Sequence, residues 1–322
     1  MYEQFYHLTG KPFQLSPDPR FLYLGRGHKR ALAYLRYGLE KGEGFIVITG
    51  NVGTGKTTLA QALLKQYLSA DTVAGKVSTT QLDPDDTLRM VAGAFGLKHK
   101  DLNKADLLQY LERFFIRVVE AGKRSLLIVD EAQNMPRQSL EELRMLSNLQ
   151  HGHRPLLQVF MLAQNEFQET MNDPGMEQFR QRVIAGYHLT PLDLMETQAY
   201  VEYRLRCVEW DNDPEITGGA FEALYKHTRG IPRQINRFFD RLLVAAYLDE
   251  SHRIEAELVD SVAAEMKAET GIAMTSEEQD QIKDASEAMM KEARAAADQG
   301  LTDRLSQIEE KLDLLARALK AD

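Results

Sequence analysis

The sequence predicts an α/β fold with a central parallel sheet between two layers of helices, followed by an all-helical region and a C-terminal coiled-coil helix. An apolar run at residues 45–48 leads through a glycine-rich turn into a good helix former at 59–68. A second uninterrupted apolar run, at 125–129, is typical of a parallel strand buried on both faces. From Pro191 onward, helical patterns occupy residues 194–206, 218–228, 232–248 and 254–269.

The composition is that of a globular protein without a disulfide framework. The chain has 322 residues, 43% of them hydrophobic, enough for two or three domains. A net charge of −9 argues against a protein that coats nucleic acid. Cys207 is the single cysteine, which excludes a disulfide, and it is interpreted as a small buried residue. Because the sequence contains neither a signal peptide nor an apolar run of ~20 residues, we expect a cytoplasmic protein without membrane insertion.

Residues 1–43 are predicted to be an N-terminal segment that packs on the core. The aromatic stretch 11–24 is interrupted by prolines, which favours an extended segment laid on a surface. Residues 28–39 carry leucines at helical spacing and predict a helix. His28 in this helix is interpreted as a hydrogen-bonded structural residue.

The turn after the first strand carries the pattern G-x-x-x-x-G-K-T, and its residues are Gly50, Asn51, Val52, Gly53, Thr54, Gly55, Lys56, Thr57 and Thr58. Between a strand and a helix, this pattern is a phosphate-binding loop. Its glycines let several backbone N–H groups converge on one anion, and the helix that follows directs its positive end at the phosphates. We therefore expect bound ATP, with Lys56 between the β- and γ-phosphates and Thr57 as a ligand of Mg²⁺.

Polar side chains follow two other predicted strands. The run 125–129 ends in Asp130 and Glu131, and the run 158–162 is followed by Gln164 and Asn165. Ligands of parallel sheets bind at the carboxyl ends of the strands. We expect Asp130 to hold Mg²⁺ and Glu131 to polarise the attacking water, with Gln164, or as second choice Asn165, sensing the γ-phosphate.

Three arginines are expected to act on the phosphates. Arg180 and Arg182 precede a short predicted strand at 187–189, where they would reach the nucleotide of a neighbouring subunit; the alternative is a pair of solvated helix-end arginines. Arg233 lies in the first turn of a helix that begins at Pro232. Since a cation is unfavourable at the positive end of a helix, Arg233 indicates an external anion there.

The C-terminal tail changes character after residue 269. Residues 270–300 are polar and are predicted to be a spacer. Residues 301–322 are predicted to be a coiled-coil helix, because apolar side chains recur at alternating spacings of four and three at Leu301, Leu305, Ile308, Leu312, Leu315 and Leu319. Either this helix coils with itself or with a partner, or it is one amphipathic helix folded onto the body.

With these motifs, the chain resembles an AAA+ ATPase, and more narrowly the ExeA (general secretion pathway protein A) family. The opening, residues 5–21, is similar to the start of that family in its Lys-Pro-Phe and Pro-Asp-Pro-Arg-Phe stretches. Residues 36–50 most resemble the subgroup found in exosortase (PEP-CTERM) and exopolysaccharide loci. The likeness covers about residues 1–270.

The resemblance implies an AAA+ P-loop nucleotide-binding domain at 44–190 and a helical lid domain at 191–269. It also implies a role for each motif: Walker A at Lys56 and Thr57, Walker B at Asp130 and Glu131, sensor 1 at Gln164, sensor 2 at Arg233, and an arginine finger at Arg182 with Arg180 as the alternate.

The function implied is ATP hydrolysis that remodels or energises a partner in a cell-envelope export or exopolysaccharide system. The resemblance implies a homo-oligomeric ring, with six subunits expected. ExeA continues into a transmembrane helix and a peptidoglycan-binding domain that this sequence lacks, so we expect the C-terminal helix to bind a partner at the inner membrane. Two alternatives are a DNA-associated AAA+ regulator similar to transposition ATPases and a nucleotide-gated scaffold.

Overall fold

The computed structural model describes residues 1–15, 18–67, 71–78, 86–99 and 102–272. The chain divides into two units, Met1–Val262 and Ala263–Asp322. The described part of the second unit is residues 263–272, which belong to a helix. The predicted coiled-coil helix and all of the predicted spacer beyond residue 272 lie outside the described residues.

Helices and strands alternate through most of the first unit. The strands are β1 (Phe45–Gly50), β2 (Thr72–Ser78), β3 (Arg124–Asp130), β4 (Gln150–His151), β5 (Arg154–Pro155), β6 (Gln158–Ala163), β7 (Val183–Leu189), β8 (Glu215–Ile216) and β9 (Arg253–Ile254). The helices are α1 (Tyr2–Phe5), α2 (Arg26–Lys41), α3 (Lys56–Tyr67), α4 (Thr87–Ala94), α5 (Lys104–Glu120), α6 (Arg137–Ser147), α7 (Glu166–Asn172), α8 (Glu177–Arg180), α9 (Leu194–Arg206), α10 (Gly218–Thr228), α11 (Pro232–Leu248) and α12 (Ala256–Ile272).

A parallel sheet organises this unit, as the sequence predicts. Among the described residues it has five strands in the order β2-β3-β6-β1-β7. Every residue of β1 and β6 is buried. Because parallel strands end at the same edge, the segments that follow β1, β6 and β3 lie side by side. The glycine-rich turn is thereby brought next to the carboxylates and amides that follow the other two strands.

Alternate residues of β1 pack into two separate cores, which gives the predicted three layers. Phe45 and Val47 belong to a core that α4, α5 and α6 cover. Ile46 and Ile48 belong to a second core on the opposite face, with Leu35 of α2 among its members. Each large apolar side chain buried in this way stabilises the fold by about 1.5–3 kcal/mol. The two cores hold the sheet between its layers of helices. The carboxyl ends of the strands lie outside these cores, where a site can form.

Helices α9, α10 and α11 have the predicted bounds, and local chemistry explains where two of them begin. The side chain of Asp193 accepts from the Glu196 backbone while Glu196 reaches back to the Asp193 backbone, a capping box that starts α9. Pro232 is in the first turn of α11. The region is not wholly helical, because β8 and β9 form a short parallel pair.

Three other expectations differ from the structure. The last strand of the sheet is longer than predicted, since β7 begins at Val183, where it pairs with Phe45. Helix α6 was not predicted, although Leu140 and Leu143 give it a buried face. Cys207 is exposed rather than buried, because it lies at the C-terminal cap of α9.

Within the described ranges, no helix combines the length and apolar character needed to cross a bilayer.

Candidate nucleotide-binding site

The loop between β1 and α3 has a backbone that only glycine adopts readily at two positions. Gly53 and Gly55 have φ values of 82° and 96°, in the left-handed region where side chains are strained. A Cβ atom on Gly53 would also lie 2.7 Å from the Cβ of Arg233. The loop is therefore shaped both by its own turn and by the close approach of α11.

Lys56 is buried at the start of α3, with its ammonium inside the loop. Its side chain Nζ donates to the backbone oxygens of Gly50 at 2.8 Å and Asn51 at 3.0 Å. Burial lowers the pKa of Lys56, and the carboxylates of Glu131 and Asp130 act in the opposite direction. The ammonium thus lies at the mouth of a turn whose N–H groups can receive an anion.

Asp130 ends β3 beside the first turn of α3. The Thr57 hydroxyl lies 3.4 Å from Oδ1 and 3.3 Å from Oδ2 of Asp130. Lys76 of β2, which the sequence reading missed, places Nζ 3.4 Å from the same Oδ2. A hydroxyl and a carboxylate at this spacing are oxygen ligands of the kind that Mg²⁺ uses together with substrate phosphates.

Glu131 is held by two glutamines. Its Oε2 accepts from Nε2 of Gln133 at 2.6 Å and from Nε2 of Gln164 at 3.0 Å. The Oε1 of Gln133 in turn accepts the backbone N–H of Gln164 at 2.9 Å. The amide of Gln164 is the main cause that lowers the pKa of Glu131, so that the carboxylate is ionised at neutral pH. Glu131 itself has φ 57°, an uncommon conformation for a residue with a side chain.

Gln133 is the partner in this network that sequence reasoning missed. It follows Glu131 by two positions in a 3₁₀ turn, Ala132–Asn134. The signal was present, because an amide two residues beyond a strand-end carboxylate is close enough to bond it. The second-choice amide, Asn165, instead donates to the side chain of Asn51 in the loop.

Arg233 joins the site from α11. Its backbone N–H donates to the oxygen of Gly53 at 3.2 Å, which ties the helix to the loop. The exposed side chain lines a cleft of about 390 Å³ that also borders Lys56, Glu131 and Gln164.

The N-terminal segment forms another wall of the same cleft, through side chains that include Leu15 and Tyr23. His28 supports the loop from behind, with Nε2 3.1 Å from the backbone oxygen of Thr54. Burial lowers the pKa of His28, so the ring is neutral and can donate to that oxygen. This geometry agrees with the structural role expected for His28.

Arg180 and Arg182 lie away from this site. The backbone oxygen of Arg182 accepts from Phe45 N at 2.8 Å, at the amino end of β1, whereas the loop begins at its carboxyl end. The side chain of Arg180 donates to the backbone oxygens of Met171 and Asp173. The structure therefore brings together the loop, the carboxylates, Gln164 and Arg233 at the carboxyl ends of the strands. It leaves Arg182 at the amino end of β1, with Arg180 two residues before it.

Comparisons with known proteins identify a domain family and a relative that this chain resembles. A family model described as an AAA domain matches residues 39–171. Over 258 residues, 79% of this chain, the sequence is 40% identical to General secretion pathway protein A of Aeromonas hydrophila. The chain spans about half of that relative, 46% of its length.

Solved structures share the fold at low sequence identity. The ORC2 protein of Aeropyrum pernix, in ADPNP–ADP complexes, matches with a TM-score of 0.59 and 18% identity, over 79% of this chain and 71% of its own. Drosophila ORC bound to DNA matches with a TM-score of 0.60 and 16% identity, over 82% and 65%. Cdc6p of Pyrobaculum aerophilum matches with a TM-score of 0.56 and 15% identity, over 74% and 68%.

Proposed function

Because this chain is an AAA+ ATPase related to General secretion pathway protein A, we propose that it hydrolyses ATP with Mg²⁺ to remodel or energise a partner in a cell-envelope export or exopolysaccharide system. One observation carries the catalytic part of this proposal. Lys56, the Thr57–Asp130 pair and the Glu131–Gln164 pair converge at one edge of the sheet, with side-chain distances of 3.0–3.4 Å within the pairs.

Each group has a distinct task in this proposal. Lys56 and the loop N–H groups hold the phosphates, and Lys56 exchanges its bonds to loop oxygens for bonds to phosphate oxygens. Glu131 accepts a hydrogen bond from the attacking water and orients it toward the γ-phosphate. Gln164, which contacts Glu131 at 3.0 Å, is proposed to sense the γ-phosphate. Arg233 contributes positive charge from the cleft wall.

Thr57 and Asp130 are the residues that would hold Mg²⁺. Their spacing fits a hard cation that is bound through one or two protein oxygens and the phosphates. When bound, the ion neutralises charge that develops on the phosphate oxygens. Lys76, whose Nζ lies 3.4 Å from Oδ2 of Asp130, helps to orient that carboxylate beside Thr57.

We further propose that the site is completed by a second copy of the chain, in a homo-oligomeric ring of six. β1 has six residues, and at ~3.3 Å per residue it separates the backbone beside Arg182 from the loop by about 17 Å. An arginine side chain cannot cover that distance and then reach the phosphates of its own subunit. Arg182 is therefore the proposed arginine finger acting in trans; Arg180 is the alternate, although its guanidinium bonds local carbonyls.

The partner is proposed from the relative and from the sequence. General secretion pathway protein A supports a role in export, and the likeness of residues 36–50 to the exosortase-associated subgroup favours an exopolysaccharide locus. The proposed domains are the nucleotide-binding domain at 44–190 and the lid at 191–269. The coiled-coil helix at 301–322 is proposed to recruit the cytoplasmic ATPase to a partner at the inner membrane.

Single-turnover and steady-state ATP hydrolysis test this function. Lys56→Ala should weaken nucleotide binding, whereas Glu131→Gln should keep binding and abolish turnover. Glu169→Gln, which changes an exposed carboxylate on α7, is the matched control and should behave as wild type. Equal turnover in wild type and Glu131→Gln would remove Glu131 from the mechanism. Wild-type protein that binds but does not hydrolyse ATP would favour the scaffold alternative, and salt-sensitive DNA binding would favour the regulator.

A further inference from the structure

Arg204 of α9 is a buried cation that lines the nucleotide cleft, with 6% of its surface exposed. Among the residues that the structure describes, no carboxylate forms an ion pair with it. Its Nε donates to the backbone oxygen of Pro12 at 2.6 Å, and its Nη2 donates to that of Gln14 at 3.3 Å. Since a buried guanidinium must have its N–H groups satisfied, these bonds hold the N-terminal segment firmly against α9.

Aromatic rings strengthen the same attachment. The Arg204 guanidinium carbon lies 4.8 Å from the ring centroid of Phe21 and 5.8 Å from that of Phe13, within range of cation–π attraction. Nη1 donates to the Tyr200 hydroxyl at 2.9 Å, and Tyr200 donates to Asn236 of α11 at 2.7 Å. Arg204 thus links the N-terminal segment, α9 and α11 at one point.

The segment that Arg204 holds lines part of the cleft. It contributes Leu15, Leu22 and Tyr23 to the lining, and residues 52–59 line the same cleft. Phosphates bound to the loop leave the rest of the cleft for the base and ribose. Apolar and aromatic side chains are suited to pack against a flat heterocyclic base.

We propose that Arg204 is a positioning residue for the base of the nucleotide. It fixes the N-terminal wall of the cleft, so that the base meets a formed surface and the affinity gained from the base depends on Arg204. The affinity gained from the phosphates belongs to the loop and does not depend on it. This inference rests on the proposed function only in that the triphosphate binds at the loop.

A comparison of two ligands distinguishes the affinity gained from the base from the affinity gained from the phosphates. The dissociation constants of a nonhydrolysable ATP analogue and of inorganic tripolyphosphate, each with Mg²⁺, are measured by calorimetry on the full chain. Tripolyphosphate has no base, so its dissociation constant reports the affinity that the loop contributes. The ratio of the two constants reports the affinity that the base and ribose add. Arg204→Met keeps the length of the side chain and removes its charge and donors. Arg206→Met on the same helix is the matched control, because Arg206 is exposed and paired with Glu202.

In Arg204→Met the ATP analogue should bind about tenfold or more weakly, as expected for the loss of charge-assisted hydrogen bonds that order the wall. Tripolyphosphate should bind as in wild type, and Arg206→Met should change neither constant. An unchanged ratio in folded Arg204→Met protein would overturn the proposal, as would an equal loss for both ligands.

Thermal unfolding shows whether Arg204→Met folds. If it does not, Arg204→Lys retains the charge but replaces the three nitrogens of the guanidinium by one ammonium nitrogen. It should lower the preference for the ATP analogue by part of the same factor. A full wild-type preference in Arg204→Lys would then refute the positioning role. Failure of hydrolysis in wild type would count against the proposed function and leave this ratio measurable.

Discussion

Replacing Gln133 by leucine should slow ATP hydrolysis without weakening nucleotide binding. Gln133 donates to Glu131 Oε2 at 2.6 Å and accepts the Gln164 backbone N–H at 2.9 Å. Leucine has nearly the same volume but makes neither bond. Glu131 would then lose the bond from Gln133 and retain the bond from Gln164 on the same oxygen. Its carboxylate would sample orientations that do not face the attacking water.

The size of the effect follows from the bond that is lost. A hydrogen bond to a charged group contributes about 1.5–3 kcal/mol. If that energy fixes the carboxylate in its reactive orientation, its loss lowers kcat by about 10- to 150-fold, at ~1.36 kcal/mol for each factor of ten. The dissociation constant for ATP should stay within about twofold, since the loop and Lys56 are unchanged.

The assay combines steady-state hydrolysis with binding of a nonhydrolysable analogue. Gln138→Leu is the control, because Gln138 is exposed on α6, and it should leave both quantities unchanged. Wild-type kcat in Gln133→Leu would refute the orienting role of Gln133. A parallel loss of binding and of thermal stability would show that Gln133 supports the fold rather than the carboxylate.

Three further predictions concern the loop, the proposed neighbour and the tail, and a fourth concerns pH. Gly53→Ala should weaken nucleotide binding in a direct titration, because φ 82° and the 2.7 Å approach to Arg233 strain any side chain there. Activity per subunit should rise with protein concentration, and Arg182→Ala should lower it by up to ~10³-fold without changing the unfolding curve; concentration-independent turnover would contradict a site completed in trans. Truncation before residue 275 should preserve basal hydrolysis and abolish stable assembly or partner recruitment, so loss of nucleotide binding on truncation would contradict the docking role. Burial lowers the pKa of His28, so the unfolded chain binds more protons than the folded one and stability should fall as pH drops below ~6.5; denaturant unfolding of His28→Gln should show a weaker fall over that range.

The sequence predicted the structure best where the local hydrophobic pattern of an element matches its burial in the fold. The runs at β1, β3 and β6 are apolar because both faces of each strand are covered, and this predicts a central parallel strand directly. Helices α9, α10 and α11 match their predicted bounds because polar N-caps mark the start of the first two, Pro232 marks the start of the third, and each carries an apolar face. β7 was predicted too short because its exposed and half-buried residues break the apolar pattern.

Features of the site that depend on distant contacts were not predictable in this way. Arg204 lies 192 positions from Pro12, which accepts its shortest hydrogen bond, and on sequence alone it is one more polar residue of a helix. The ion pair of Lys76 with Asp130 depends on β2 lying beside β3, and the bond between Gln133 and the Gln164 backbone depends on β6 lying on the other side of β3. Cys207 was expected to be buried because cysteine usually is, but the end of α9 leaves it exposed.

Strand β1 connects the two ends of the proposed mechanism. Its carboxyl end leads into the phosphate loop, and its amino end bonds the backbone of Arg182 through Phe45. Because β1 is buried throughout and paired on both sides, the distance between these ends is fixed by the sheet and cannot be shortened by a loop movement. The backbone of Arg182 is therefore held at a fixed distance from the phosphate loop of its own subunit. In a ring, hydrolysis in one subunit would be transmitted to the next as a displacement of this rigid unit, which is the kind of motion that remodelling a partner requires.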